Sequence, residues 1–198
     1  ADKNLNEVTE SELQQMMVGR TLSTIYPEKA DSLPETVVFK VENLSQNNKL
    51  KDISFELHEG EILGIGELKG AGGDELLGIL FGDEKETSGK IWVDHKEYAH
   101  KNPNHAMKNG FSLLPGERTL EGLITSFSIK DNINMGAMKT KGFLLDKSQE
   151  TEIANKMIKE VTIKTPSCEM PCDSLSGGNM QKVVIAKCLA TNPKILLL

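Results

Sequence analysis

The chain has little of what would tie it to an oxidising compartment or to a nucleic acid. It carries three cysteines, Cys168, Cys172 and Cys188, in 198 residues. That number builds no disulfide framework, and no second ligand pair stands at zinc-type spacing. Free thiols in a reducing cytoplasm are therefore expected, with no metal site. Basic residues are outnumbered, 23 Lys and Arg against 29 Asp and Glu, for a net charge of −6. No nucleic-acid surface is expected of such a balance, because neutralising phosphates takes clustered cations. Apolar runs fall well short of the roughly 20 residues that span a bilayer, and no signal-peptide pattern opens the chain. The expectation is a soluble protein that is free to dock on a membrane partner. His95, His100 and His105 recur every five residues, a spacing that shares neither a helix face nor a strand face; solvated loop positions are expected for them.

What is present is ordinary globular material: 38% hydrophobic and 26% charged residues, with length for one large or two small domains. Thr9 and Glu12 form a T-x-x-E capping box before the apolar stripe Leu13, Met16 and Met17, with Gly19 placed to end a short helix. Tyr26-Pro27 to Pro34-Glu35 reads as a polar, proline-punctuated linker. Strands are predicted at Val37–Val41, at Ile53–Leu57 and, as a buried strand, at Glu61–Ile65. A helix follows from Asp74 to Phe81, then strands at 88–94 and 110–114. Residues 128–162 are mostly helical in pattern. Asn192-Pro193 stops a last helix before the fully buried run Lys194–Leu198. The order fits an α/β domain with an antiparallel flank. A run of that type at the chain's end suggests a sequence cut within a domain.

Two glycine-rich turns precede helices. Gly66–Gly78 reads GELKGAGGDELLG, and Leu175–Gln181 reads LSGGNMQ. Glycines at a helix start leave backbone N–H groups unhindered at the positive end of the dipole, which suits an anion. Ser176 is placed to cap its helix and to add a hydroxyl. An isolated SGG is more often a capped helix with a flexible entry.

LSGGNMQ followed by a helix, Asn192-Pro193-Lys194 and an apolar run resembles the signature region of ABC transporter ATPases. Met16–Arg20, Tyr26-Pro27, Gly60–Gly64, Gly70-Ala71-Gly72, Thr87-Ser88-Gly89 and Gly116–Leu123 fall in an order similar to the double-cassette ATPases of bacterial simple-sugar importers of the ribose, galactose and xylose types. The resemblance implies an α/β P-loop cassette with an antiparallel β subdomain and a helical signature subdomain, stopping before the acidic Walker B residues. Residues 1–26 would be the tail helix of a first cassette, 27–35 a linker and 36–198 an incomplete second cassette, with the helical subdomain at about 127–175. ATP and Mg²⁺ would be the cofactors. A first ATP-binding cassette and membrane permease subunits would be the partners, at the cytoplasmic face of the plasma membrane. The implied cofactor-binding residues are Gly70, Ala71, Gly72, Gly73, Asp74 and Glu75 in one turn and Ser176, Gly177, Gly178 and Gln181 in the other. The resemblance implies no catalytic base within these residues, since the acidic residue that would polarise water is expected beyond Leu198.

The first turn departs from that pattern. Gly73 stands at the place of the phosphate-binding Lys, Asp74 at that of the Mg²⁺-binding Ser or Thr, and Glu67 at that of the first glycine. A lysine lost opposite a phosphate removes an attraction of about 1 kcal/mol in water and about 4 at intermediate dielectric. Asp74 and Glu75 add repulsion and already satisfy the dipole. A weak or non-hydrolytic nucleotide site is expected there. Gly116 stands where related importers carry Glu, and Asn47–Leu50 has no aromatic residue to stack adenine; Trp92 and Tyr98 are expected as core or surface residues. A regulatory or interaction module on the same scaffold stays open, and a nucleic-acid-associated ABC protein is disfavoured by the acidic balance.

Overall fold

The computed structural model describes residues 8–9, 12–13, 16, 34–47, 49–68, 70–99, 101–117, 121–137 and 147–198. Residues 27–33 of the linker read over 27–35, the residues Met17, Gly19 and His100, and the Arg118-Thr119-Leu120 part of the 116–123 segment lie outside these. The capping box is present: Thr9 N–H and Oγ1 donate to Glu12 Oε2 at 2.9 and 3.0 Å, and Glu12 N–H donates back to Thr9 Oγ1 at 3.3 Å.

Alternating apolar residues build a four-stranded antiparallel sheet from β1 (Val37–Gln46), β2 (Leu50–His58), β3 (Ser88–Val93) and β4 (Lys96–Glu97), in the order β2-β1-β3-β4. Phe39, Val41 and Leu44 of β1 face inward, while Lys40 and Glu42 face out and exchange ion pairs that include Glu56 of β2. Lys40 is held above its usual pKa, first by Glu56 and then by Glu42. Bulges let β1 twist across its partners. Where β3 crosses the bulge, Gly89 has φ 108°, and a Cβ there would fall 2.5 Å from Leu44 Cα. Only glycine fits that crossing.

Helix α1 (Gly73–Phe81) lays Leu76, Ile79 and Leu80 against the inner face of the sheet and ends on Gly82 at φ 81°, a left-handed cap. Helix α2 (Pro103–Lys108) leads into β5 (Phe111–Leu113), which pairs in parallel with β6 (Ile195–Leu197) through Phe111↔Ile195 and Leu113↔Leu197. Phe111 meets Phe39 edge-on, with ring centroids 5.7 Å apart, and fastens the parallel pair to the sheet. Leu198, by contrast, is exposed.

Between β5 and β6 the chain makes a helical unit with its own core. Helices α3 (Ile129–Ala137), α4 (Lys147–Glu160) and α5 (Gly177–Ala190) bury Ile129, Ile133, Ala154, Met157, Val183 and Val184. Asn132, fully buried, stitches the connecting segments: its Oδ1 accepts from Ile124 N–H at 2.9 Å. Its Nδ2 lies 3.0 Å from both Ile124 O and Ser128 O, and 3.3 Å from Cys172 Sγ. The three cysteines are free and buried; burial, then Asp173, pushes the Cys172 thiol up to about 11.

Two sequence expectations fail here. Residues 61–65 form no strand, and Ile62 is 95% exposed. An apolar run becomes a strand only beside a partner, and among the described residues β5 and β6 pair with each other alone. His105 is not a solvated loop residue: it sits in α2, half-buried, with its ring stacked 5.5 Å from that of Tyr98. His95 does lie in an exposed turn, at φ 62°.

Replacing Gly89 by Ala forces a backbone shift at the bulge and destabilises the fold by about 2–3 kcal/mol. Asn132→Ala takes away the partner of the Ile124 N–H and leaves a gap in the helical core, at about 1–3 kcal/mol in all. Denaturant unfolding, read from the change in midpoint at unchanged slope, checks both. At pH 8, alkylation of Cys172 in the folded chain is expected to run about a hundredfold slower than in the unfolded chain, the ratio two pKa units give.

Candidate functional site

The first glycine turn is held at the mouth of the sheet core. Gly70 and Gly72 take φ of 83° and 115°, and Gly72 is the left-handed N-cap of α1. Gly72 is buried so tightly that an added Cβ would lie 2.7 Å from Leu50 Cδ2 and 3.3 Å from Lys49 O. The turn thus leans on the β1–β2 connection, and only a glycine permits the approach.

The helix start this produces is already satisfied from within the chain. Ala71 N–H donates to Leu68 O at 2.9 Å. Gly73 N–H donates to the carboxylate of Glu67. Lys49 donates to the Glu75 carboxylate, and both partners shift in the sense of a paired ion. Glu75 is held below the usual carboxylate range, first by Lys49 and then by its own backbone N–H. Asp74 is exposed on the same turn. These residues do not fit a nucleotide phosphate with its metal: a glycine, Gly73, stands where a lysine would be needed, a carboxylate, Asp74, where a hydroxyl would be, and the Glu67 carboxylate fills the amide an anion would use.

The second glycine turn is differently made. A 3-10 turn at Cys172–Ser174 delivers Leu175 and Ser176 in extended conformation to the start of α5. Ser176 occupies the N-cap position, as read from the sequence, but its side chain makes no capping bond; that expectation is corrected. Its Oγ instead accepts from Asn179 Nδ2 at 3.1 Å, while Asn179 Oδ1 accepts from Lys164 N–H at 3.0 Å. A hydroxyl that accepts from Asn179 keeps its own proton to donate elsewhere. Ser176, Gly178 and Gln181 are exposed, and a Cβ on Gly178 would meet nothing within 4 Å. The first turn of α5 carries no acidic residue, so its dipole faces solvent with no negative group of its own helix against it.

Behind this face α5 is tied to the 116–123 segment. Lys187 Nζ donates to Gly122 O at 3.0 Å, and a Cβ on Gly122 would press on Val184 Cγ2 at 3.0 Å. Gly116 and Glu117 at the other end of that segment are exposed. Trp92 and Tyr98 are base platforms in neither turn: Trp92 Nε1 donates to Glu42 at 2.9 Å on the outer sheet face, and Tyr98 stacks 5.5 Å from Phe111. The two glycine turns belong to different cores, α1 to that of the sheet and α5 to that of the helical unit.

Two residues that sequence reasoning left outside the site act on it. Asn179 orients Ser176, and its short amide three residues after a serine was the available signal. Glu67 fills the first turn, and the signal was an acid where the phosphate-loop pattern has glycine.

The family model described as ABC transporter matches residues 50–198. The ribose import ATP-binding protein RbsA of Bacillus subtilis (strain 168) is 41% identical over 198 residues, covering 98% of the chain and 40% of that protein. Its counterpart from Oceanobacillus iheyensis is 40% identical over 200 residues, covering 100% of the chain and 39% of that protein. The chain thus spans about two fifths of the length of these curated relatives. Among solved structures, a nucleotide-free ATP-binding cassette from an ABC transporter superposes with a TM-score of 0.70 at 20% identity, over 81% of the chain and 68% of its own. A dimeric cassette in a post-hydrolysis state bound to ADP and Pi gives 0.66 at 22% identity, over 80% and 72%. These two establish the fold, an α/β cassette with an antiparallel sheet. The family model, which matches well over half of its length, makes the chain a member of the ABC transporter family.

Proposed function

We propose that the chain is part of the ATP-binding subunit of an importer for a simple sugar of the ribose class, coupling ATP binding and hydrolysis to transport. The relatives near 40% identity across the chain are named for ribose import and ATP binding, and this supports the substrate class. Residues 36–198 form a second cassette in this reading, joined by 27–35 to the tail of a first. The subunit would work with membrane permease subunits on the cytoplasmic side. No helix among the described residues is long and apolar enough to cross a membrane.

The observation that carries the division of labour is the contrast between the two helix starts. That of α1 is filled by the chain's own carboxylates. That of α5 is open, glycine-lined and free of acids in its first turn. Gly70, Ala71, Gly72, Gly73, Asp74 and Glu75 therefore form a degenerate loop that holds nucleotide weakly or not at all. Ser176, Gly177, Gly178 and Gln181 act on ATP, with its Mg²⁺, held by the partner cassette. Ser176 contributes its hydroxyl proton, Gly177 and Gly178 their unhindered amides, and the dipole of α5 favours the phosphate charge.

In the assembled importer, Gly177→Asp places a carboxylate at the helix start and is expected to cut ATP hydrolysis by about a hundredfold, the scale of losing one preorganised donor. Asn179→Ala frees the Ser176 rotor and costs about tenfold in kcat at little change in KM. Asp74→Ala shifts the rate by less than about twofold, since a loop that holds no phosphate has little to lose. Steady-state ATPase assays measure all three, and equal losses from Gly177→Asp and Asp74→Ala would overturn the assignment.

A further inference from the structure

The misfit between the first glycine turn and a nucleotide has a geometric centre. Glu67 lies six residues before Gly73, and its exposed side chain folds back so that the carboxylate accepts the Gly73 N–H. A Cβ on Gly73 would fall 2.5 Å from the Glu67 carboxyl carbon and 2.6 and 2.7 Å from its two oxygens. The carboxylate therefore occupies the volume in which any side chain at 73 would begin. Beside it Glu75 is taken up internally, by Lys49 and by its own amide.

We propose that Glu67 is an internal anion that closes the loop: an autoinhibitory contact in which a tethered carboxylate stands in for the phosphate and keeps polyphosphates off the start of α1. The loss of a lysine at 73 and the gain of an acid at 67 are then one change rather than two, because in this geometry the carboxylate and a side chain at 73 exclude each other. A tether of six residues holds its group at an effective concentration of about millimolar or more. A free anion must displace it while also facing Asp74 and Glu75 at close range. If the carboxylate covers the amide nine-tenths of the time, an anion binds roughly tenfold more weakly than to the open loop. The proposal deepens the reading of this loop as degenerate, yet it stands independently of what Ser176 and Gly177 do in trans.

The test is an amide NMR titration of the isotopically labelled full chain with inorganic pyrophosphate, comparing wild type with Glu67→Ala and Glu67→Gln. The Gly73 amide resonance should move in both variants. The amides of Gly73, Asp74 and Glu75 should respond to pyrophosphate at about tenfold lower concentration in Glu67→Ala than in wild type. Gly73→Lys should itself displace the carboxylate and raise the pyrophosphate response, and adding Glu67→Ala to it should gain less than Glu67→Ala gains in wild type. Thermal unfolding of each variant confirms an intact fold, and the near-isosteric Glu67→Gln reports on the contact if Glu67→Ala unfolds. An unmoved Gly73 resonance in Glu67→Gln would overturn the proposal, as would equal pyrophosphate response in wild type and Glu67→Ala. The probe is read at Gly73, so neither result bears on the α5 turn.

Discussion

The parallel pairing of β5 with β6 is the constraint on which the rest of the molecule depends. Parallel strands cannot be joined by a tight turn, so the chain between Leu113 and Ile195 must leave the sheet and return. The excursion is long enough to fold on itself, and it does so around a second core of Ile129, Ile133, Val183 and Val184. The return helix of that excursion is α5, which begins within LSGGN at Gly177. The pairing thus places the glycine turn at the far end of the helix that leads back into the sheet. Cys188 Sγ against Leu113 O at 3.4 Å and Lys187 against Gly122 O fix where that helix re-enters.

The two glycine turns show how one backbone device serves opposite ends. Both present amides at a helix start, and the helix dipole is the same in each. Side-chain chemistry separates them. At α1 carboxylates from 67 and 75 take up the amides, and Lys49 is drawn in as counterion. At α5 the neighbours are Ser176, Gly178 and Asn179, and the side chain bonded to the serine among the described residues is a neutral amide. An anion arriving from outside meets competition at the first and none from the first turn of the second.

Much of this was legible in the sequence because it is local. The alternation in β1 and β2, the glycine stop of α1 at Gly82, the capping box at Thr9 and the Asn192-Pro193 break all act within a few residues, and each stands where the pattern put it. LSGGN was legible because its residues are contiguous. What was not legible is pairing across distance. Glu61–Ile65 has the composition of a buried strand, but whether it becomes one depends on a neighbour that composition does not name. Asn132 reads as an unremarkable polar residue on a helix, and only the fold brings Ile124 and Cys172 around it. Ser176 looked like a cap because nothing in a linear string shows that Asn179, itself anchored on Lys164, reaches the hydroxyl instead. His105 was misread for a related reason: its ring is set by Tyr98, from the far side of a turn.

The central claim is that the start of α1 does not hold a nucleotide while the start of α5 is built to touch one. Isothermal titration of Mg-ATP into the full chain tests it most directly. The account predicts no saturable heat below about millimolar nucleotide, where a binding free energy of roughly 4 kcal/mol would begin to register. A micromolar dissociation constant that vanishes on substitution within residues 70–75 would contradict it.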